Sequence, residues 1–240
     1  MARTYLAMTN KVLSRFNEVE LTEGTFASSR GIQTQCKNAV NDAILYVNSR
    51  EFTWPFNHTT VTEACVAGTT RYTVGSTIKH VDYDTFRISK DSSLGTSGGA
   101  LIKMDYKEYV DKYIEQEDDA TVDGAIPTHV FRTPDNNWGL YPYPDKAYEI
   151  KYEAYSNTTL LSAYGDETVI PEQFVHVIED GAASYIYRYR GEHEMFEKSF
   201  VMFEKGITQM QSMLMNHDRS LRSYMMVRGA KGDNGFIRTN

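Results

Sequence analysis

The amino-acid sequence predicts an α+β fold: a bundle of amino- and carboxy-terminal helices with an inserted antiparallel β-rich domain. Three observations predict it. Apolar residues recur at helical spacing near both ends of the chain, whereas residues 57–160 show short alternating runs separated by turn signals. No end helix can bury its apolar stripe alone, so the two pairs must pack together. A length of 240 residues fits one large domain or two modest ones, and the expected division is 1–56 with 165–227 as the helical bundle, 57–164 as the β-rich insertion and 228–240 as a flexible basic tail.

Each element has its own warrant. Over residues 4–18, Leu6, Leu13 and Phe16, with Val12 beside them, share one side of a helical wheel. Gly24 and Gly31 interrupt that pattern, and Ser28 or Ser29 offers a hydroxyl cap for a second helix. In that helix Ile32, Cys36, Ala39, Val40, Ala43, Ile44 and Val47 form a continuous stripe that stops near Arg50, before Trp54, Pro55 and Phe56. The strand candidates are TTVTEACVAG, TTRYTV, KHVDYDTFRI, GALIKM, THVFRTPD, GLYPYP and AYEIKYEAYS. In the last, Tyr148, Ile150, Tyr152 and Ala154 alternate with Glu149, Lys151 and Glu153, which predicts one buried face. Pro127, Pro134, Pro142 and Pro144 each lack a ladder donor, so their strands should end nearby or lie at edges. One helix should interrupt the strands, because Tyr106, Tyr109, Val110, Tyr113 and Ile114 recur at helical spacing.

Beyond the linker SAYGDETV, Pro171 is placed as a first helical residue with Glu172 in the first turn. Phe174, Val177, Ile178, Ala182, Tyr185, Ile186 and Tyr189 then define a helix that Gly191 should end. The next begins at once, with Phe196, Phe203, Ile207, Met210 and Leu214 on one side, so a tight helical hairpin is predicted. The closing VRGAKGDNGFIRTN is rich in glycine and basic residues and is predicted to be disordered in isolation.

Composition narrows the function. Hydrophobic residues make up 41% and charged residues 24%, which excludes a wholly disordered, collagen-like or rod-shaped chain. No apolar run is long enough to span a membrane, and the first residues, MARTYLAMTNKVLSRF, lack the apolar core of an export signal, so a chain neither exported nor membrane-bound is expected. Cys36 and Cys65 are too few for a disulfide framework and lack a CxxC spacing. A net charge of −7 argues against a nucleic-acid-gripping protein, which needs surplus Lys and Arg. The charge is unevenly placed. Asp105, Glu108, Asp111, Glu115, Glu117, Asp118, Asp119 and Asp123 stand against Lys107 and Lys112, whereas Arg219, Arg222, Arg228, Lys231 and Arg238 stand against Asp233. An acidic middle and a basic tail predict two different surfaces. The 17 Tyr and 11 Phe against 2 Trp fit extensive half-buried subunit contact, although strands enrich Tyr in any case.

Catalytic signatures are absent. His193-Glu194 begins a zinc-hydrolase pattern, but the second ligand position holds Glu197, so no metal or cofactor site is expected. GTSGGA, residues 95–100, lacks the Lys-Ser/Thr that closes a phosphate loop and reads as a hairpin tip. Asp118 with Asp119, or Asp82 with Asp84, could be offered as an acid and base beside a Tyr143 or Trp138 sugar platform, but their spacing equally suits solvated charges.

Two segments carry a resemblance. QCKNAVNDAILYVNSREFTWPFN, residues 35–57, and VIPEQFVHVIEDGAASYIYRYRGEHEMFEKSFVMFEKGITQM, residues 169–210, resemble the head-to-tail adaptors of short-tailed bacteriophages, the tail tubular protein A family. The resemblance implies a virion neck protein, assembled in the host cytoplasm as a ring of twelve copies between the portal protein and the tail nozzle or hub. Genomic DNA would pass through the bore without specific binding, and no membrane, metal or cofactor would be involved. Arg222, Tyr224, Arg228, Lys231, Phe236 and Arg238 are then portal-contact candidates, and Glu115, Glu117, Asp118 and Asp119 are candidates for a repulsive channel lining. Two other classes compete: a receptor- or carbohydrate-binding tail component, expected as a trimer, and a cell-wall hydrolase.

Overall fold

A computed structural model describes residues 4–117 and 123–215. In chain order the elements are α1 (Tyr5–Arg15), α2 (Glu23–Phe26), α3 (Ile32–Arg50), β1 (His58–Ala64), β2 (Arg71–Tyr72), β3 (Ile78–Ile88), β4 (Gly99–Ala100) and β5 (Ile102–Met104). They continue with α4 (Tyr106–Tyr113), β6 (His129–Arg132), β7 (Trp138–Tyr141), β8 (Glu149–Ser156), α5 (Val175–Arg190) and α6 (His193–Leu214). The α+β class is therefore as the sequence predicts. The described chain forms two compact units, one from within Met1–Ala43, Ala163–Asp166 and Ile170–Asn240, the other from Ile44–Ser162 and Glu167–Val169. The division falls inside α3.

The helical unit is built on caps and stripes. Thr4 Oγ1 accepts from the Ala7 N–H at 3.3 Å, and the next orphan donors, the Tyr5 and Leu6 amides, reach the Asp166 and Tyr164 carbonyls at 2.8 and 3.0 Å. The buried face of α1 is Tyr5, Met8, Thr9, Val12 and Leu13, while Leu6 and Phe16 are half-buried. The face is rotated toward Tyr5 because its ring packs edge-on against Phe26 at 5.1 Å and its phenol donates to the Lys37 carbonyl at 2.9 Å. The short α2 was not predicted; a reciprocal Thr22/Thr25 capping box holds it. Neither proposed serine cap works as expected: Ser28 donates to the Thr25 carbonyl, while Ser29 accepts from Lys37 Nζ at 3.3 Å. The stripe predicted for α3 is real, with Cys36, Ala39, Val40, Ala43, Ile44 and Val47 all buried.

Pro171 stands one position earlier than expected, ahead of a 3-10 turn over Glu172–Phe174 that leads into α5. Gly191 then stops α5 in the left-handed conformation, φ 78°, and its N–H returns to the Arg188 and Tyr187 carbonyls. The α5/α6 hairpin is close-packed. A Cβ on Gly206 would lie 2.8 Å from a Val177 methyl, so the glycine is what lets the two helices meet here. Ion pairs tie the rim: Arg15 to Asp180 at 2.6 Å and Arg190 to Glu18 at 2.5 Å.

The second unit holds two four-stranded sheets, ordered β1-β8-β3-β4 and β2-β7-β6-β5. The first is antiparallel throughout. The second departs from the antiparallel expectation, because β5 runs parallel to β6. The cause is the run of residues 99–104, which serves both sheets: the Leu101 N–H bonds the Phe86 carbonyl at 2.8 Å, and the next amide, Ile102, bonds Thr128 at 2.9 Å. The core between the sheets is aromatic, with Phe86 stacked on Tyr152 at 4.4 Å and Tyr72 on Trp138 at 4.4 Å. The prolines behave as predicted, since β6 ends before Pro134 and β7 ends immediately before Pro142. Gly95 and Gly98, both at positive φ, sit at the turn between β3 and β4, in agreement with a hairpin tip. Cys36 and Cys65 are both free and buried.

Candidate assembly surfaces

The acidic middle of the chain is organised by α4. Asp105 caps it through the Lys107 N–H at 3.4 Å, and its inner face seats Tyr109 on Phe131 at 3.9 Å with Met104 beneath. Glu108 and Asp111 remain on the outer face, Glu108 paired with Lys112 at 2.6 Å one turn on. Glu117 behaves differently. Arg71 grips it with two hydrogen bonds, Nε to Oε1 at 2.7 Å and the terminal nitrogen to Oε2 at 2.8 Å. That pairing raises the Arg71 guanidinium above its ordinary value, while burial first and the Glu117 carboxylate second push the Tyr109 phenol up.

The helical unit offers a different surface. Met195, Met202 and Met213 recur along one side of α6 and are 43%, 59% and 60% exposed. They flank the buried line of Phe203, Ile207 and Met210. Methionine is a flexible, polarizable side chain suited to contacts that must adapt. Tyr189 and Val19 are also exposed in this unit. Among the described residues no three His, Cys, Asp or Glu side chains form a group that could hold a metal ion. No described helix is long and apolar enough to cross a membrane.

Residues 3–228 match the family model described as SU10 adaptor protein. The chain belongs to the SU10 adaptor protein family. A comparison with curated proteins finds no match. The family match spans nearly the whole chain and agrees with the head-to-tail adaptor resemblance, which makes the protein a phage adaptor, a structural component of the virion.

The residues singled out in the adaptor sequence fare unevenly. Glu115 is exposed just beyond α4, whereas Glu117 is half-buried in its pair with Arg71. Asp118 and Asp119 lie outside the described residues, as do Arg222, Tyr224, Arg228, Lys231, Phe236 and Arg238. Trp138 is fully buried in the adaptor's sheet core and cannot be a sugar platform. Asp82 and Asp84 are engaged locally, Asp82 accepting from the Asp84 N–H at 3.1 Å and Asp84 pairing with Lys103 at 3.5 Å. Sequence reading missed Arg71, whose partner lies 46 residues away, and the methionine line on α6, whose spacing was available but was read only for its buried side.

Proposed function

We propose that this adaptor forms a ring of twelve copies between the portal protein and the tail nozzle or hub, with genomic DNA passing through its bore. The observation that carries the reading is the family match over residues 3–228, which takes in both structural units rather than one motif. A ring subunit must carry two non-equivalent lateral surfaces, and the two units offer chemically different ones: adaptable methionine on α6 and exposed carboxylates on α4. Arg222 and Tyr224, with Arg228, Lys231, Phe236 and Arg238 of the basic tail, are assigned to the portal. Glu115, Asp118 and Asp119 are assigned to the channel wall, where negative charge keeps DNA from adhering. Glu117 joins them with its charge largely offset by Arg71.

The test mixes the full-length protein with its portal protein and examines the product by native mass spectrometry and negative-stain imaging. A dodecameric ring stacked on the portal is expected. A trimer with no affinity for portal would replace this reading with a receptor-binding tail component. A ring whose bore is lined by other residues would remove the assignment of Glu115, Glu117, Asp118 and Asp119 alone.

A further inference from the structure

The β1 strand is one edge of the first sheet. It pairs with β8 over seven consecutive residues, from His58 opposite Tyr155 to Ala64 opposite Glu149, without a bulge. One residue beyond, the Cys65 N–H bonds the carbonyl of Tyr148 directly across from it, at 2.8 Å. In an antiparallel ladder directly opposed residues alternate between bonded and non-bonded pairs, so Thr59, Val61 and Glu63 face β8 and His58, Thr60, Thr62 and Ala64 face outward. The other neighbour of β8 gives the same answer: Glu149, opposite Ala64, spends its carbonyl on Ser89 of the β3 side at 2.8 Å. The four outward residues are also the exposed ones.

Among the described residues their backbone groups are unspent. The His58 N–H returns to the Pro55 carbonyl, which leaves the His58 C=O and both groups of Thr60, Thr62 and Ala64. A row of free donors and acceptors at strand spacing is complementary to another extended chain. Most of the devices that blunt an edge are missing from HTTVTEA. The strand carries no proline, lysine or bulge, and it is dominated by β-branched side chains. Its one carboxylate, Glu63, already accepts from the Tyr152 phenol at 3.1 Å.

We propose that this edge is occupied by β1 of a second copy, antiparallel about a local two-fold axis at Val61. The strand is self-complementary in that register. Each Thr60 faces the other copy's Thr62, exchanging two backbone bonds per pair, and each His58 carbonyl accepts from the other copy's Ala64 N–H. Glu63 lies opposite Thr59 and His58 opposite Ala64, so no like charges meet. The two Val61 side chains, each packed partly on its own core, form a close non-bonded pair at the axis. Such a contact is isologous and closes at two copies, so it cannot propagate a ring; it belongs to the free subunit and stands independently of the proposed ring. A single strand pair is smaller than a standard interface of about 1,200–2,000 Å², so the dimer should be weak, in the micromolar range.

The experiment uses the full-length protein without portal, in sedimentation equilibrium and in cross-linking. Wild type should show a reversible dimer. Thr62→Pro removes only an outward donor, which an edge strand tolerates, and should raise the dimer dissociation constant by about tenfold or more while the far-UV spectrum and melting temperature hold. Should that variant fail to fold, Thr60→Lys with Thr62→Lys opposes like charges at both central pairs and should give the same loss. Val61→Cys should form an intermolecular disulfide under mild oxidation, whereas Thr60→Cys, two residues off register, should not. Buried Cys36 and Cys65 leave that readout clean. A protein that is monomeric at about 100 µM with Val61→Cys uncrosslinked overturns the proposal. So does an unchanged dimer in both edge variants, or equal cross-linking at positions 60 and 61.

Discussion

Gly206 occupies the interior of α6, where helix propensity alone favours alanine by about 1 kcal/mol. Packing reverses that preference. The added methyl would stand 2.8 and 3.0 Å from the two Val177 methyls, and a β-branched side chain in a helix has no second rotamer to retreat to. Overpacking of this kind costs about 1–3 kcal/mol. Gly206→Ala should therefore lower stability by about 1 kcal/mol net, read as a reduced melting temperature by circular dichroism. Gly24 supplies the contrast: a Cβ there meets nothing within 4 Å, so Gly24→Ala should be neutral or stabilising by up to about 1 kcal/mol. A second residue-level test concerns Glu179, buried on α5 with Arg15 at 3.7 Å. Burial pushes its carboxyl above the ordinary value; Arg15, Lys11 and His176 pull it back and Asp180 adds to the rise. A carboxyl whose folded pKa exceeds its unfolded value contributes stability below the unfolded value, and that contribution is lost as pH rises through the folded one. Glu179→Gln should thus gain on wild type between about pH 4 and pH 7, measured by urea unfolding across that range. A gain that shrinks with rising pH would contradict the burial argument.

At the scale of elements, the end of α3 shows how helix and sheet chemistry meet. The Lys79 ammonium, from β3, donates to the Asn48 carbonyl and, at 2.7 Å, to the Glu51 carbonyl, and it lies 5.2 Å from the centre of the Phe52 ring. It satisfies terminal carbonyls and places positive charge at the negative end of the helix dipole. Desolvation lowers its pKa even so. Lys79→Met should destabilise the unit by about 1–2 kcal/mol, and Lys79→Arg should recover part of the loss, as judged by denaturant midpoints. What the sequence revealed follows from locality. The Ile32-to-Val47 stripe, the Gly191 stop and the alternation in β8 are patterns within one element, so the long helices and strands were legible. The α2 turn is too short to carry a period. The parallel β5–β6 pair and the Arg71–Glu117 grip depend on which distant segments become neighbours, which spacing along the chain does not encode. Burial of Trp138 was equally hidden, because strand position alone did not show that both faces of the strand would be covered.

At the scale of the whole molecule, the charge asymmetry makes a claim that can be separated from folding. The chain carries −7 overall, yet its last residues gather Arg228, Lys231 and Arg238 against Asp233. The family match ends at residue 228 and does not bear on the stretch beyond it. If that stretch docks on portal as proposed, its contribution is largely electrostatic and must weaken as the screening length contracts from about 10 Å at 0.1 M salt to about 3 Å at 1 M. Deleting residues 228–240 should leave the protein soluble, with unchanged circular dichroism and melting temperature. It should also abolish stable co-sedimentation with portal at low salt. The full-length chain should bind at low salt and progressively lose portal as salt rises, whereas the truncated chain should show little binding to lose. Full attachment by the truncated chain would make residues 228–240 a solvated end, and it would move the portal contact onto the rest of the chain. The exposed methionine line of α6 would then be the surface to mutate next.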